Sequence, residues 1–106
     1  MITMRFEAPT GCGLLQRALF PALMHDRNKH GRPYNIVIPV NAMRANFQGT
    51  DIPDSNVITV QTLLQRVEPA ETQHHMLVLI DIPPHLEDRI VAAFHHCEIW
   101  VATHSC

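Results

Sequence analysis

Hydrophobic and polar positions follow strand-like patterns in four parts of the chain. Residues 2–7 alternate between apolar and polar side chains, the period expected of a strand with one buried face. Residues 34–40 and 99–102 are rich in β-branched and apolar side chains and predict two further strands. Residues 76–80 are apolar at every position, which predicts a central strand covered on both faces.

Two other segments have the spacing of amphipathic helices. The first, residues 14–23, contains Pro21, which predicts a kink or two short helices because proline removes a backbone hydrogen bond. The second, residues 86–97, follows two prolines and has acidic side chains in its first turn, where the helix dipole favours them. Residues 57–67 begin like a strand and then continue either as a strand or as a helix.

The order of these elements predicts an α+β fold. We expect two helices on one face of a mostly antiparallel sheet of four or five strands, with the ferredoxin-like split βαβ arrangement as its commonest form. No linker interrupts the pattern, so residues 1–106 are predicted to form a single compact domain. With both helices on one face, the other face of the central strand needs a cover. A second subunit is the simplest cover, so we expect a homodimer.

Composition excludes several classes of protein. The chain is 46% apolar and carries ten acidic against eight basic side chains, a formal charge of −2. These values argue against disorder and against nucleic-acid binding through bulk charge. The longest apolar run is too short to span a bilayer, and the first residues lack the layout of a signal peptide. Three cysteines cannot all pair within one chain, so we expect free thiols and a cytoplasmic protein without membrane contact.

A Gly-Cys-Gly turn between the first strand and the first helix is one candidate for chemistry. A thiol at such a position can be activated by the positive end of the helix. Cys12 and Arg17 form a Cys-x4-Arg spacing, one residue short of the Cys-x5-Arg loop that wraps a phosphate in cysteine-dependent phosphatases. We favour the alternative in which Cys12 is a small residue packed at a tight turn.

A second candidate is the pair Asp81 and His85, which flanks two prolines at the end of the predicted central strand. A carboxylate beside an imidazole can orient it as a general base. We favour capping of the following helix by Asp81, because capping needs only local geometry. A small enzyme that uses Cys12 or the Asp81–His85 pair is therefore the weakest of our functional hypotheses.

Histidine is unusually frequent, with eight residues in the chain. Imidazole and thiolate together suit Zn, Ni or Cu. A five-stranded version of the predicted sheet brings the histidine clusters and the end of the first helix to one edge, whereas a four-stranded version separates His25 and His30 from them. Solvated imidazoles at the ends of elements are the alternative interpretation. The candidate metal ligands in both versions are His74, His75, His95, His96 and Cys97.

A polar loop after the first helix carries Arg27, Lys29 and Arg32, with Tyr34 beside it. Three cations and a ring can hold a nucleic-acid phosphate and stack a base, but we favour a solvated loop. No catalytic motif is complete and no cofactor fingerprint is present. We therefore predict a small non-enzymatic regulatory or adaptor protein that binds another protein and acts as a homodimer. A transition-metal-binding or pH-sensing protein that uses a histidine-rich edge is the alternative.

Overall fold

The computed structural model describes residues 1–72 and 75–105, and in these residues five strands form one sheet with every neighbouring pair parallel. The spatial order is β1-β5-β4-β2-β3, so β4 lies in the middle of the sheet. The strands are β1 (Ile2–Pro9), β2 (Tyr34–Ile38), β3 (Val57–Thr59), β4 (Met76–Ile80) and β5 (Glu98–Ser105).

Helical segments connect the strands. The first connection begins as a π-helix, Leu14–Leu19, and continues directly as α1, Phe20–His30. Pro21 lies at the start of α1, where its missing N–H group is not needed. No helix in the described part of the chain is long and apolar enough to cross a bilayer. The other helices are α2 (Val60–Arg66) and α3 (Pro84–Ala93), with short 3-10 helices at Asn41–Phe47, Asp54–Asn56 and Pro69–Thr72.

Helices and loops cover both faces of the sheet. The π-helix, α1 and the segment that contains Phe47 and Ile52 pack against one face, which we call the α1 face. Helices α2 and α3 pack against the opposite face, the α3 face. Every residue of β4 is buried, which confirms the predicted central strand covered on both sides.

The predicted mostly antiparallel, ferredoxin-like arrangement is wrong. Parallel neighbours need a crossover between consecutive strands, and strand and helix do alternate along most of this chain. The element that the pattern left open, residues 57–67, forms β3 and then α2. Because α2 and α3 cover the second face, the argument that a second subunit must cover it loses its basis, and the homodimer stays a prediction.

Candidate functional site at the carboxyl edge of the sheet

The carboxyl ends of parallel strands meet at one edge of a sheet, and ligands of open α/β sheets bind there. In this chain the turn after β1, the residue after β4 and the last residues of β5 lie at this edge. A cavity of about 570 Å³ opens beside them. Its lining includes Gly11, Gln16, Asn46, Gln48 and His104.

Asp81 and His104 form a close pair at this edge. The backbone N–H of His104 donates to Oδ1 of Asp81 at 2.7 Å, and Nδ1 of His104 lies 2.7 Å from Oδ2 of the same carboxylate. Both side chains are about three-quarters buried. Asp81 has φ 52°, in the left-handed region that a non-glycine residue rarely adopts, and its N–H donates to the carbonyl of Ala102. A strained backbone and three hydrogen bonds therefore fix the carboxylate against the imidazole.

The carboxylate determines how the imidazole can act. With Oδ2 of Asp81 against it, Nδ1 of His104 carries the ring proton in the neutral tautomer, and Nε2 has the lone pair. Within residues 1–72 and 75–105 no group is hydrogen-bonded to Nε2. His104 lines the cavity, so Nε2 is the ring nitrogen available to a bound molecule. This arrangement can accept a proton from a ligand and hold the resulting imidazolium against a carboxylate.

The Gly-Cys-Gly turn forms the neighbouring wall of the cavity. Gly13 has φ 73°, a backbone conformation that favours glycine. A Cβ atom at this position would also lie only 3.2 Å from Cδ of Arg17, so both the backbone and this contact disfavour a larger residue. The stem of Arg17 therefore lies against Gly13, next to Cys12 in the turn, and Cys12 itself is exposed. Thr10 ties the turn to β5, because its N–H donates to the carbonyl of Ser105 at 3.2 Å. The π-helix that follows is a geometry often found at functional sites.

His85 is not the partner of Asp81. It lies exposed in the first turn of α3, whereas the carboxylate of Asp81 contacts His104. The N-cap of α3 is Pro83, and no side chain among the described residues caps that helix, so the favoured interpretation of Asp81 as a helix cap is wrong. The true partner is 23 residues away in sequence, and the parallel pairing of β4 with β5 brings it close.

The described candidate metal ligands lie near the amino ends of β4 and β5. Nδ1 of His75 contacts Oδ1 of Asn35 at 3.0 Å, and the rings of His95 and His96 pack edge to face with centroids 5.7 Å apart. Cys97 is buried in the core of the α3 face. Among the described residues, no three His, Cys, Asp or Glu side chains are grouped closely enough to hold a metal ion. His74 lies outside the described residues, so a Zn, Ni or Cu site that includes it stays a prediction.

The predicted polar loop is wrong for residues 25–30, which belong to α1. Arg32 follows the helix and bridges two carboxylates. Its guanidinium donates to both oxygens of Asp26, at 3.0 and 2.8 Å, and to both oxygens of Glu98, each at 3.0 Å. Arg27 and Lys29 are exposed in the last turn of α1, but Tyr34 is buried. The ring of Tyr34 is therefore not available to stack on a base, and Arg32 is already paired within the chain.

This network shifts the ionisation of its members. Burial alone would raise the pKa of Glu98, but hydrogen bonds from Arg32, Trp100 and Thr3 outweigh it and hold that pKa below the ordinary value. The indole Nε1 of Trp100 donates to Oε2 of Glu98 at 2.6 Å. The hydrogen bonds of Arg32 to Asp26 and Glu98 outweigh its burial and raise the pKa of the guanidinium. The network therefore joins the end of α1 to the start of β5 as a structural link.

We expect Cys12 and Cys97 to differ sharply in alkylation of the native protein. Cys12 is exposed and Cys97 is buried, so iodoacetamide should label Cys12 in the folded state and Cys97 only on unfolding. Mass spectrometry of tryptic peptides measures both, and a Cys12→Ser variant assigns the fast-reacting site. Equal labelling rates at the two thiols in native buffer would contradict the burial of Cys97.

Comparison with known proteins finds no family model that matches this chain. It also finds no curated protein and no solved structure that matches the chain significantly. The geometry of the carboxyl edge is therefore the basis for a functional assignment.

Proposed function

We propose that this protein binds a small, uncharged polar molecule at the carboxyl edge of the sheet and that His104 acts on it as a general base. The observation that carries this proposal is His104, which lines the 570 Å³ cavity and has the carboxylate of Asp81 against its Nδ1. Cavities that hold small ligands have volumes of roughly 300–1,000 Å³, so this one is large enough.

The lining of the cavity indicates the chemistry of the ligand. Gln16, Asn46 and Gln48 supply amide groups that can both donate and accept hydrogen bonds, and Phe20 supplies an apolar surface. Within the described part of the chain, no Asp, Glu, Lys or Arg lines the cavity. A charged ligand would lose hydration there without gaining an opposite charge, whereas a molecule with hydroxyl or amide groups would be matched.

The pair gives the site its reactivity. A hydroxyl group of the ligand, or a water molecule held beside it, would transfer its proton to Nε2 of His104, so that the ring becomes an imidazolium and the oxygen keeps the electron pair of the broken O–H bond. The carboxylate of Asp81 at Nδ1 would stabilise the positive charge that the ring gains. This division of labour between a base and its orienting carboxylate recurs in unrelated folds.

Ligand binding can be tested by two-dimensional NMR titration with a panel of neutral fragments, small amides and polyols, and with acetate as a charged comparison. We expect the neutral fragments to shift the backbone amides of residues 11–16, 45–48 and 104, and acetate to shift them less. His104→Ala should weaken this binding several-fold. His85→Ala, which removes an exposed imidazole at the same end of the sheet, should leave it unchanged.

The same spectra test the role of Asp81. In wild type the imidazole of His104 should show the Nδ1–H tautomer, and Asp81→Asn should reduce the preference for it. Absence of any fragment shift at this edge, or equal binding by wild type and His104→Ala, would contradict the proposal. The adaptor function expected from the sequence is independent of this site and stays a prediction.

A further inference from the structure

The two edges of the sheet differ in length and exposure. At one edge, β3 has three residues and leads directly into α2. At the other edge, β1 has eight residues and none of them is buried. A long open edge has unpaired backbone groups that can pair with another strand, and proteins usually shorten or cover such an edge. The unpaired side of β1 is therefore a candidate interaction surface.

The register of β1 against β5 shows which backbone groups are free. From Met4 to Pro9 the pairing is regular, and a one-residue irregularity separates this stretch from Ile2. Thr10 donates its N–H to Ser105 of β5. Since the two sides of a strand alternate, the even-numbered residues of the regular stretch face β5, and the N–H and C=O groups of Arg5 and Glu7 point outward.

We propose that β1 pairs with β1 of a second copy of this chain, antiparallel and with Phe6 on the two-fold axis. Arg5 of one copy then lies opposite Glu7 of the other, and each such pair exchanges two backbone hydrogen bonds. Pro9, which has no N–H, occupies an outward position near the end of the paired stretch, where proline is tolerated. The two five-stranded sheets become one continuous sheet.

Charge selects this register from its neighbours. A shift of two residues in one direction places Arg5 opposite Arg5 of the other copy. The same shift in the other direction places Glu7 opposite Glu7. Like charges directly opposite each other on paired strands are destabilising, whereas opposite charges attract. With Phe6 on the axis, both symmetry-related charge pairs are of opposite sign.

Each face of the joined edge has a matching contact. On the α1 face, Phe6 already packs against Trp100 with ring centroids 6.0 Å apart, and the axis places the two copies of Phe6 side by side. On the α3 face, Arg5 is 61% exposed and, within residues 1–72 and 75–105, makes one 3.3 Å contact, with Glu87; its other donors can reach Glu7 of the second copy. This self-complementarity favours a second copy over an extended peptide of another protein.

Sedimentation velocity over a range of concentrations tests the proposal, with all charge variants made on a Glu87→Gln background to remove the contact of Arg5 within its own chain. We expect the background protein to form a dimer. Arg5→Glu and Glu7→Arg should each weaken dimerisation on the order of tenfold, because two attractive pairs become repulsive. The combined exchange of both residues should restore dimerisation, since the charges are opposite again.

A Glu7→Pro variant tests the backbone part of the proposal. It removes an outward N–H from each copy, so it should abolish the dimer and leave the circular dichroism spectrum and thermal midpoint of the monomer nearly unchanged. A wild-type monomer at all concentrations would overturn the proposal. A dimer that is insensitive to Glu7→Pro, or single charge variants that the combined exchange fails to rescue, would place the interface elsewhere or assign the edge to a different partner.

Discussion

Replacing Arg32 by alanine is expected to lower the free energy of unfolding by about 2–4 kcal/mol, since it leaves two partly buried carboxylates without their cation. Asp26 is 8% exposed and is the buried charged residue of the described core, so the loss of its partner is costly. The stem of Arg32 contributes as well, because the side chain is itself mostly buried. Urea denaturation followed by the fluorescence of Trp100, which belongs to the same network, measures the effect.

Two controls separate this network from general effects of removing a cation. Arg27→Ala removes an exposed arginine from the same end of α1 and should change the stability by less than about 0.5 kcal/mol. Arg32→Lys keeps the charge but loses the four-bond geometry, and should fall between wild type and Arg32→Ala. If Arg32→Ala and Arg27→Ala had equal stability, the network would contribute nothing to folding.

Acidification gives a second measurement of the same network. The pKa of Glu98 is lower in the folded protein than its ordinary value of 4.5. Its contribution to stability is therefore fully present above pH 4.5 and is lost as the pH falls through the lower folded value. Part of this loss should disappear in Arg32→Ala, since Arg32 donates two of the hydrogen bonds that lower the pKa of Glu98. An identical acid dependence in the two proteins would exclude this role of Arg32.

The fold could be predicted from the sequence only in part. The apolar run of β4 and the amphipathic pattern of α3 are strong signals, and β4 forms where the pattern places it. Helix α3 also forms, but it ends at Ala93, so the predicted continuation to residue 97 is wrong. The sequence pattern does not predict parallel pairing, because α2 has only seven residues and lies in a segment whose pattern fits a strand equally well. One local signal marks its start, since the hydroxyl of Thr59 caps the helix by accepting from the N–H of Thr62.

A strand that is apolar on both faces has two interpretations. Either a second subunit covers one of its faces, as we predicted, or helices of the same chain cover both faces. Strands buried on both faces are typical of parallel sheets with helices on each side, which is the architecture found here. The sequence pattern reports that both faces of β4 are covered. It does not report whether the cover belongs to the same chain, because the pattern of the segment that forms α2 fits a helix and a strand equally well.

In the candidate site, too, the sequence does not show which residues from distant segments come into contact. Asp81 stands out in sequence because it is a charged residue directly after the most apolar strand, but His104 lies in a different segment and has no local signal. Only the register that pairs Ile80 with Ala102 brings the two side chains together. The sequence likewise places Arg32 among neighbouring cations and gives no sign of its partner Glu98, which is 66 residues away.

Replacing Asp81 by alanine is expected to lower the free energy of unfolding by about 2–3 kcal/mol, because the variant loses the hydrogen bonds to the backbone N–H and to Nδ1 of His104. Residue 81 has φ 52°, where a Cβ atom is unfavourable by about 1 kcal/mol, and wild type and the alanine variant share this strain. Asp81→Gly loses the same hydrogen bonds but tolerates this φ, so it should be about 1 kcal/mol more stable than Asp81→Ala. His104→Ala keeps the bond to the backbone and should be the mildest of the three. Urea denaturation of this series gives all three values, and a glycine variant less stable than the alanine variant would show that the backbone at Asp81 is not strained.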